Sequence, residues 1–293
     1  MRSAPATGGL ELALLVALTS PLLVEWFETT SASSRLSYAL LVPVLALGLA
    51  WRARREASNG ASNEASNGAS SAAWAPDGPG RTLAAAVAAL AGLALVAGGL
   101  SGVFTLSLLA VPLIAVALCA RWTGRAGLRA LAAPLALGFL MVPPPMPVLD
   151  RINPFLIEAS GWTAVTLLKP FDAEAAWAGA TLSFRGWELI VAEACSGSGT
   201  FLMLGALSAF LAALFRLRPL ATALLLGLSL PVTLGVNGLR IASSALVIDR
   251  FGAAAGEGLA HELLGQAVVI VGAAALVLAV ERTQARLARE AHA

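Results

Sequence analysis

Apolar stretches of 16 to 29 residues recur along this chain, at roughly 9–27, 36–51, 82–100, 103–120, 128–145, 199–215, 219–247 and 263–280. A helix needs about 20 largely apolar residues to cross a hydrocarbon core of ~30 Å. The pattern therefore predicts an all-α integral membrane protein of about eight transmembrane helices, one polytopic domain over residues 1–293. Two connections depart from it. Residues 52–81 open on Trp51-Arg52-Ala53-Arg54-Arg55 and run into an Ala/Ser/Asn/Gly repeat. With no apolar period and little to bury, 56–80 is expected to be a disordered cytoplasmic loop. The second connection, 146–198, follows Pro143-Pro144-Pro145, which cannot continue a helix. It reads as a small extracytoplasmic interfacial segment, an amphipathic helix over 151–169 and then a short hairpin over Ala180–Val191 with Arg185-Gly186 at its turn.

Composition sharpens this reading. Apolar residues make up 58% of the chain and charged residues 12%, about half the charge of a soluble protein. The net charge of +2 is too small to suggest nucleic-acid binding. Its distribution matters more. With the N-terminus inside and eight spans, 13 of the 19 basic residues fall on the inner side. They include Arg52, Arg54, Arg55, Arg81, Arg121, Arg125 and Arg129, so every second connection is basic, as the positive-inside rule requires. Both termini are then cytoplasmic and the membrane is the cytoplasmic (inner) one. The first apolar run lacks the basic n-region and cleavage site of a signal peptide.

Few residues remain for chemistry. The two cysteines, Cys119 and Cys195, lack CxxC or zinc spacing, so no disulfide framework, metal or cofactor is expected. Cys119, beside Ala117 and Leu118, reads as a small hydrophobe. Cys195 lies in Glu193-Ala194-Cys195-Ser196-Gly197-Ser198-Gly199-Thr200, just before the sixth span on the outer side. Arg240, in Asn237-Gly238-Leu239-Arg240, lies about 20 residues and hence ~30 Å into the seventh span. His261 just precedes the eighth, so three polar groups from separate segments share one depth. A thiol with an ordinary pKa near 8.5 needs a base or a positive field to act as a nucleophile. His261 offers the base, and the N-terminus of the sixth span the field. Arg240 keeps its proton and suits an oxyanion stabiliser or carboxylate clamp. Asn237, three residues before it, orients it or donates a second hydrogen bond. Each has a plainer reading: a packed Cys195, a snorkelling Arg240, an interfacial His261, a Glu193 that only pairs with Arg240. The small residues Ser196 and Gly197 favour chemistry, since they leave room for something to approach.

At these residues the sequence resembles the exosortase/archaeosortase family of membrane transpeptidases. The resemblance rests on Val191-Ala192-Glu193-Ala194-Cys195-Ser196-Gly197 before a helix, Asn237-Gly238-Leu239-Arg240 after Pro231, and His261 with Gly265. It covers roughly residues 130–280. It implies Cys195 as nucleophile, His261 as general base and acid, and Arg240 as transition-state stabiliser. The implied substrates are secreted proteins with a C-terminal sorting signal of the PEP-CTERM type, comprising a short motif, a transmembrane helix and a basic tail. Cleavage outside the membrane passes the new C-terminus to an acceptor: water, an amine or a lipid-linked group. The sequence departs from the pattern at Ser198-Gly199, where members often carry an Ile-Arg pair.

Two other readings compete. In a rhomboid-like intramembrane serine protease, Ser198 between Gly197 and Gly199 is the nucleophile and His261 its base, which leaves Cys195 and Arg240 unexplained. A non-enzymatic transporter predicts paired broken helices and midplane charges. The sequence shows one Pro-interrupted span, at Pro231, and no internal repeat.

Overall fold

Prolines, glycines and one aspartate divide the apolar chain into helices. The computed structural model describes residues 6–33, 35–66, 74–191, 197–256 and 258–290, which are mostly helical. The chain divides into two compact units, Met1–Pro143 and Pro144–Ala293, with the boundary inside the Pro143–Pro145 cluster.

The first unit contains α1 (Ala6–Ala32), α2 (Tyr38–Ser66), α3 (Gly78–Ser101), α4 (Phe104–Leu108), α5 (Ala110–Ala130) and α6 (Ala132–Gly138), then a 3-10 turn over Phe139–Met141. Asp77 caps α3, its Oδ1 accepting the Gly80 N–H at 2.8 Å, with a proline in the first turn. Gly102, at φ 67°, ends α3 by donating its N–H to the Gly98 carbonyl. Small residues let α3 and α5 approach closely. A Cβ on Gly80 would stand 3.0 Å from the Ala120 carbonyl oxygen of α5; one on Gly98 would strike Ser107 of α4. Trp26 ties α1 to the 3-10 turn, its Nε1 donating to the Met141 carbonyl at 3.1 Å.

The second unit contains α7 (Met146–Leu168), strands β1 (Ala176–Ala178), β2 (Thr181–Phe184) and β3 (Trp187–Ile190), α8 (Ser198–Leu214), α9 (Pro219–Phe251) and α10 (Gly258–Glu290). The long α9 packs against α7, α8 and α10. The strands form an antiparallel sheet in the order β1-β2-β3. Trp177, Leu182, Phe184 and Val191 close a core with Val165 and Leu168 of α7 and Ile241 and Ala245 of α9. Leu204, Leu225, Val236 and Leu276 form a second core among α8, α9 and α10.

Several expectations are met and several corrected. The hairpin is present: Arg185 and Gly186 take φ of 45° and 80° between β2 and β3, the left-handed pair that a two-residue turn needs. A third strand, β1, accompanies it. The stretch 128–145, expected as one span, is not a continuous helix. α5 ends at Ala130, α6 covers seven residues, and Pro143–Pro145 prevent further winding. The amphipathic segment expected over 151–169 lies within α7, which buries Leu149, Asn153, Leu156, Ser160, Ala164 and Leu168 at helical spacing. The loop expected over 56–80 is helical as far as Ser66, where α2 ends. Alanine and glutamate favour helix there, and Arg52 pairs with Glu56 at 3.0 Å one turn on; residues 67–73 lie outside the described residues. Among the described residues four helices are long and apolar enough to cross a membrane, or five if Ala132–Met141 and Met146–Leu168 make one span. By that measure the expected eight are not reached. α8 has 17 residues, and the apolar part of α2 runs directly into Arg52, Arg54 and Arg55.

Candidate active site

The site is organised by one face of α9. Asn237 and Arg240, three residues apart, are neighbours on the helix surface. Gly238 beside them lets α7 come close: a Cβ there would stand 2.6 Å from the Thr163 side chain and 3.1 Å from the Ser160 carbonyl oxygen. This contact fixes α9 against α7 and sets the height of Asn237 and Arg240.

Asn237 is fully buried, at 1% exposure. Across from it Gly197 opens α8 with φ 84°, a left-handed conformation that favours glycine. A Cβ on Gly197 would stand 2.9 Å from Asn237 Nδ2. Two requirements thus select glycine at 197, the backbone angle and the closeness of the amide. Gly197 has no side chain with which to cap the start of α8, whose first turn carries a partial positive charge. Ser198, the first residue of α8, is buried at 1% exposure.

Arg240 reaches the other way. Its guanidinium lies against Gly265 of α10, where an added Cβ would stand 3.2 Å from Cζ and from Nη2. The residue is half-buried, and its Nε is out of contact with solvent. Gly265 follows His261 by four residues on the continuous helix α10, so the two positions share a face one turn apart.

Of the residues singled out in the sequence, the structure brings together Asn237 with Gly197 and Arg240 with Gly265. Glu193, Cys195 and Ser196 lie outside the described residues, as does the side chain of His261. Cys119 sits in α5 with its Sγ 3.4 Å from Thr123 Oγ1, in keeping with a packing role.

Two polar clusters that support this region escaped the sequence reading. Arg185, at the hairpin turn, donates through Nη1 to Asp249 Oδ2 and through Nη2 to the Phe171 carbonyl, each at 2.9 Å. Its backbone N–H donates to Asp172 Oδ2 at 2.8 Å. The hairpin is thereby fastened to the end of α7 and the end of α9. Glu158 of α7 accepts hydrogen bonds from the indole N–H groups of Trp162 and Trp177, at 2.8 and 2.9 Å. The Trp177 ring lies so close over Gly161 that any Cβ there would strike it. Both clusters hold the three-stranded sheet in place. A family model described as "Transmembrane exosortase (Exosortase_EpsH)" matches residues 26–279, whereas no curated protein and no solved structure matches the chain.

Proposed function

The chain belongs to the transmembrane exosortase family, and from that premise we propose that it is a cysteine protease and transpeptidase embedded in the cytoplasmic membrane. In this reading it cleaves the C-terminal sorting signal of secreted proteins at the outer face and transfers the new C-terminus to an acceptor. One observation carries the assignment of roles. Asn237 and Arg240, on one face of α9, touch Gly197 and Gly265, which stand two residues after Cys195 and four after His261.

The chemistry follows from the residue types. His261 takes the thiol proton, and the Cys195 thiolate attacks the scissile carbonyl carbon. Negative charge develops on the carbonyl oxygen, and the Arg240 guanidinium stabilises it with its fixed charge and planar donors. Collapse of the tetrahedral species breaks the C–N bond, and His261 returns the proton to the departing amine. The N-terminus of α8 favours the thiolate throughout. A thioester remains, and an acceptor nucleophile (water, an amine or a lipid-linked group) attacks it and frees the thiol. Asn237 holds Gly197, and with it the start of α8, in place beside Arg240.

The test uses a secreted reporter ending in a motif, an apolar helix and a basic tail taken from a protein of the same genome. Cys195→Ala should abolish its processing, and Cys195→Ser should nearly do so, because a hydroxyl is far harder to ionise than a thiol. Arg240→Lys should also fail, since an ammonium lacks the planar fork. Ser198→Ala should leave processing intact. Processing that survives Cys195→Ala and is lost in Ser198→Ala would transfer the assignment to a serine protease.

A further inference from the structure

In the first unit, α3 and α5 line an open groove of about 440 Å³, within the usual range for a small-molecule site. Its origin lies in the sequence. Where α3 faces the seam it carries small side chains such as Ala88 and Gly92, and Ile114 and Leu95 line the cavity further along. From Arg81 to Leu95 the groove follows α3 for about 21 Å at ~1.5 Å per residue, roughly two-thirds of a hydrocarbon core. Two charged residues line it, Arg81 on α3 and Arg121 on α5, and both lie at the same end. They are level with one another because Gly80 packs against Ala120 and Gly124. Asp77, at this end too, is engaged by Arg125 at 3.0 Å.

We propose that this groove is a binding site for an anionic phospholipid, with one acyl chain along the Ala88–Gly92 face and the phosphate between Arg81 and Arg121. Charge and the apolar lining select this occupant. A protein segment with a basic end would set its charges against two guanidinium groups. An acyl chain is thin and apolar, and a lipid phosphate is the anion that arginine holds well at a membrane surface. The end bearing both arginines is the one that the distribution of basic residues assigns to the inner leaflet.

The experiment is native mass spectrometry of the full chain in detergent, offered phosphatidylglycerol or phosphatidylcholine with matched acyl chains. Wild-type protein should retain phosphatidylglycerol preferentially, by roughly fivefold for each arginine. Arg81→Gln with Arg121→Gln should bring the two lipids close to parity. Gly92→Leu should lower retention of both, because it fills the chain seat. A Cβ at Gly92 meets nothing within 4 Å, so the new side chain starts into open space, and a melting curve checks that both variants keep their fold. A phosphatidylglycerol preference that persists in the double variant overturns the proposal, as does unchanged binding in Gly92→Leu. A dimer seen without bound lipid and lost in Gly92→Leu would assign the groove to a second copy of the chain and overturn it as well. Because the readout is lipid retention, its outcome is independent of the role of Cys195.

Discussion

A thiol, a guanidinium and an imidazole are individually common, and here each is nearly unique in its setting. The chain has two cysteines and two histidines, and Arg240 is half-buried against Gly265 on a helix face it shares with Asn237. Such scarcity is why Cys195, Arg240 and His261 stood out in the sequence. Gly197 shows what the sequence reveals only in part. Its small size was readable, but its two constraints belong to the fold: φ 84° and an Asn237 amide 2.9 Å from where a Cβ would sit. Gly197→Ala should therefore cost roughly 1–3 kcal/mol of stability from backbone strain alone, with Asn237 displaced in addition. The expected outcome is a lower melting temperature together with reporter processing well below wild type. Normal processing in a stable Gly197→Ala protein would mean that the start of α8 need not be held against α9.

Elements were legible where local chemistry decides them. The Arg185-Gly186 turn between alternating residues announced the hairpin, and Pro143–Pro145 announced a break. β1 gave no such signal, since Ala176-Trp177-Ala178 lacks β-branched residues and owes its place to Trp177 packing on Gly161. The stretch 128–145 looked like a span because hydropathy ignores whether a helix can run through its prolines. The fastening of the hairpin was invisible because Arg185 and Asp249 lie 64 residues apart. Arg185→Ala should weaken that fastening. The ion pair itself contributes about 1 kcal/mol or less, given its exposure; the turn also loses the Nη2 bond to the Phe171 carbonyl, while its backbone bond to Asp172 remains. Reporter processing should fall while the pH dependence of Cys195 alkylation, followed in a Cys119→Ala background, stays unchanged. A shifted alkylation profile would place Arg185 in the electrostatics of the thiol. Asp77 offers a pH test on α3. The Arg125 hydrogen bond, opposed by desolvation and aided by the Gly80 and Arg125 N–H groups, holds its carboxyl below the usual value of 3.8. A depressed carboxylate stabilises the fold above its unfolded pKa and ceases to do so as pH falls through the folded value. Asp77→Asn keeps a capping side chain and removes the charge. It should melt below wild type at pH 7, with the gap closing only below about pH 3.8; a gap unchanged at lower pH would mean that the charge on Asp77 contributes nothing.

At the scale of the molecule, contacts between charged residues bear on which end of each helix faces which side of the membrane. Two ion pairs do so, one in each unit. Asp77 meets Arg125 at 3.0 Å, joining the connection before α3 to the kinked end of α5, both assigned by their arginines to the inner side. Arg185 meets Asp249 at 2.9 Å, joining the hairpin to the end of α9, both assigned to the outer side. A miscounted crossing between the members of either pair would separate residues that are in contact, so the pairs support the alternation even where the helix count falls short of eight. The outer assignment also places eleven acidic residues there, among them Asp172, Glu188 and Asp249, against six basic ones. In the proposed function, a substrate helix with a basic tail would meet arginine-rich connections inside and a net acidic face outside, which would leave its N-terminal flank on the side of Cys195. The orientation is tested by single cysteines introduced into a Cys119→Ala, Cys195→Ala protein and labelled with a membrane-impermeant maleimide on intact cells. Residue 173, exposed just before the sheet, should label from outside. Residue 76, just before α3, and residue 288, near the end of α10, should label only after the cells are opened. Labelling of residue 76 from outside would invert the first unit and with it the inner-leaflet assignment of Arg81 and Arg121. Protection of residue 173 would place the sheet on the cytoplasmic side and overturn the proposed outer site.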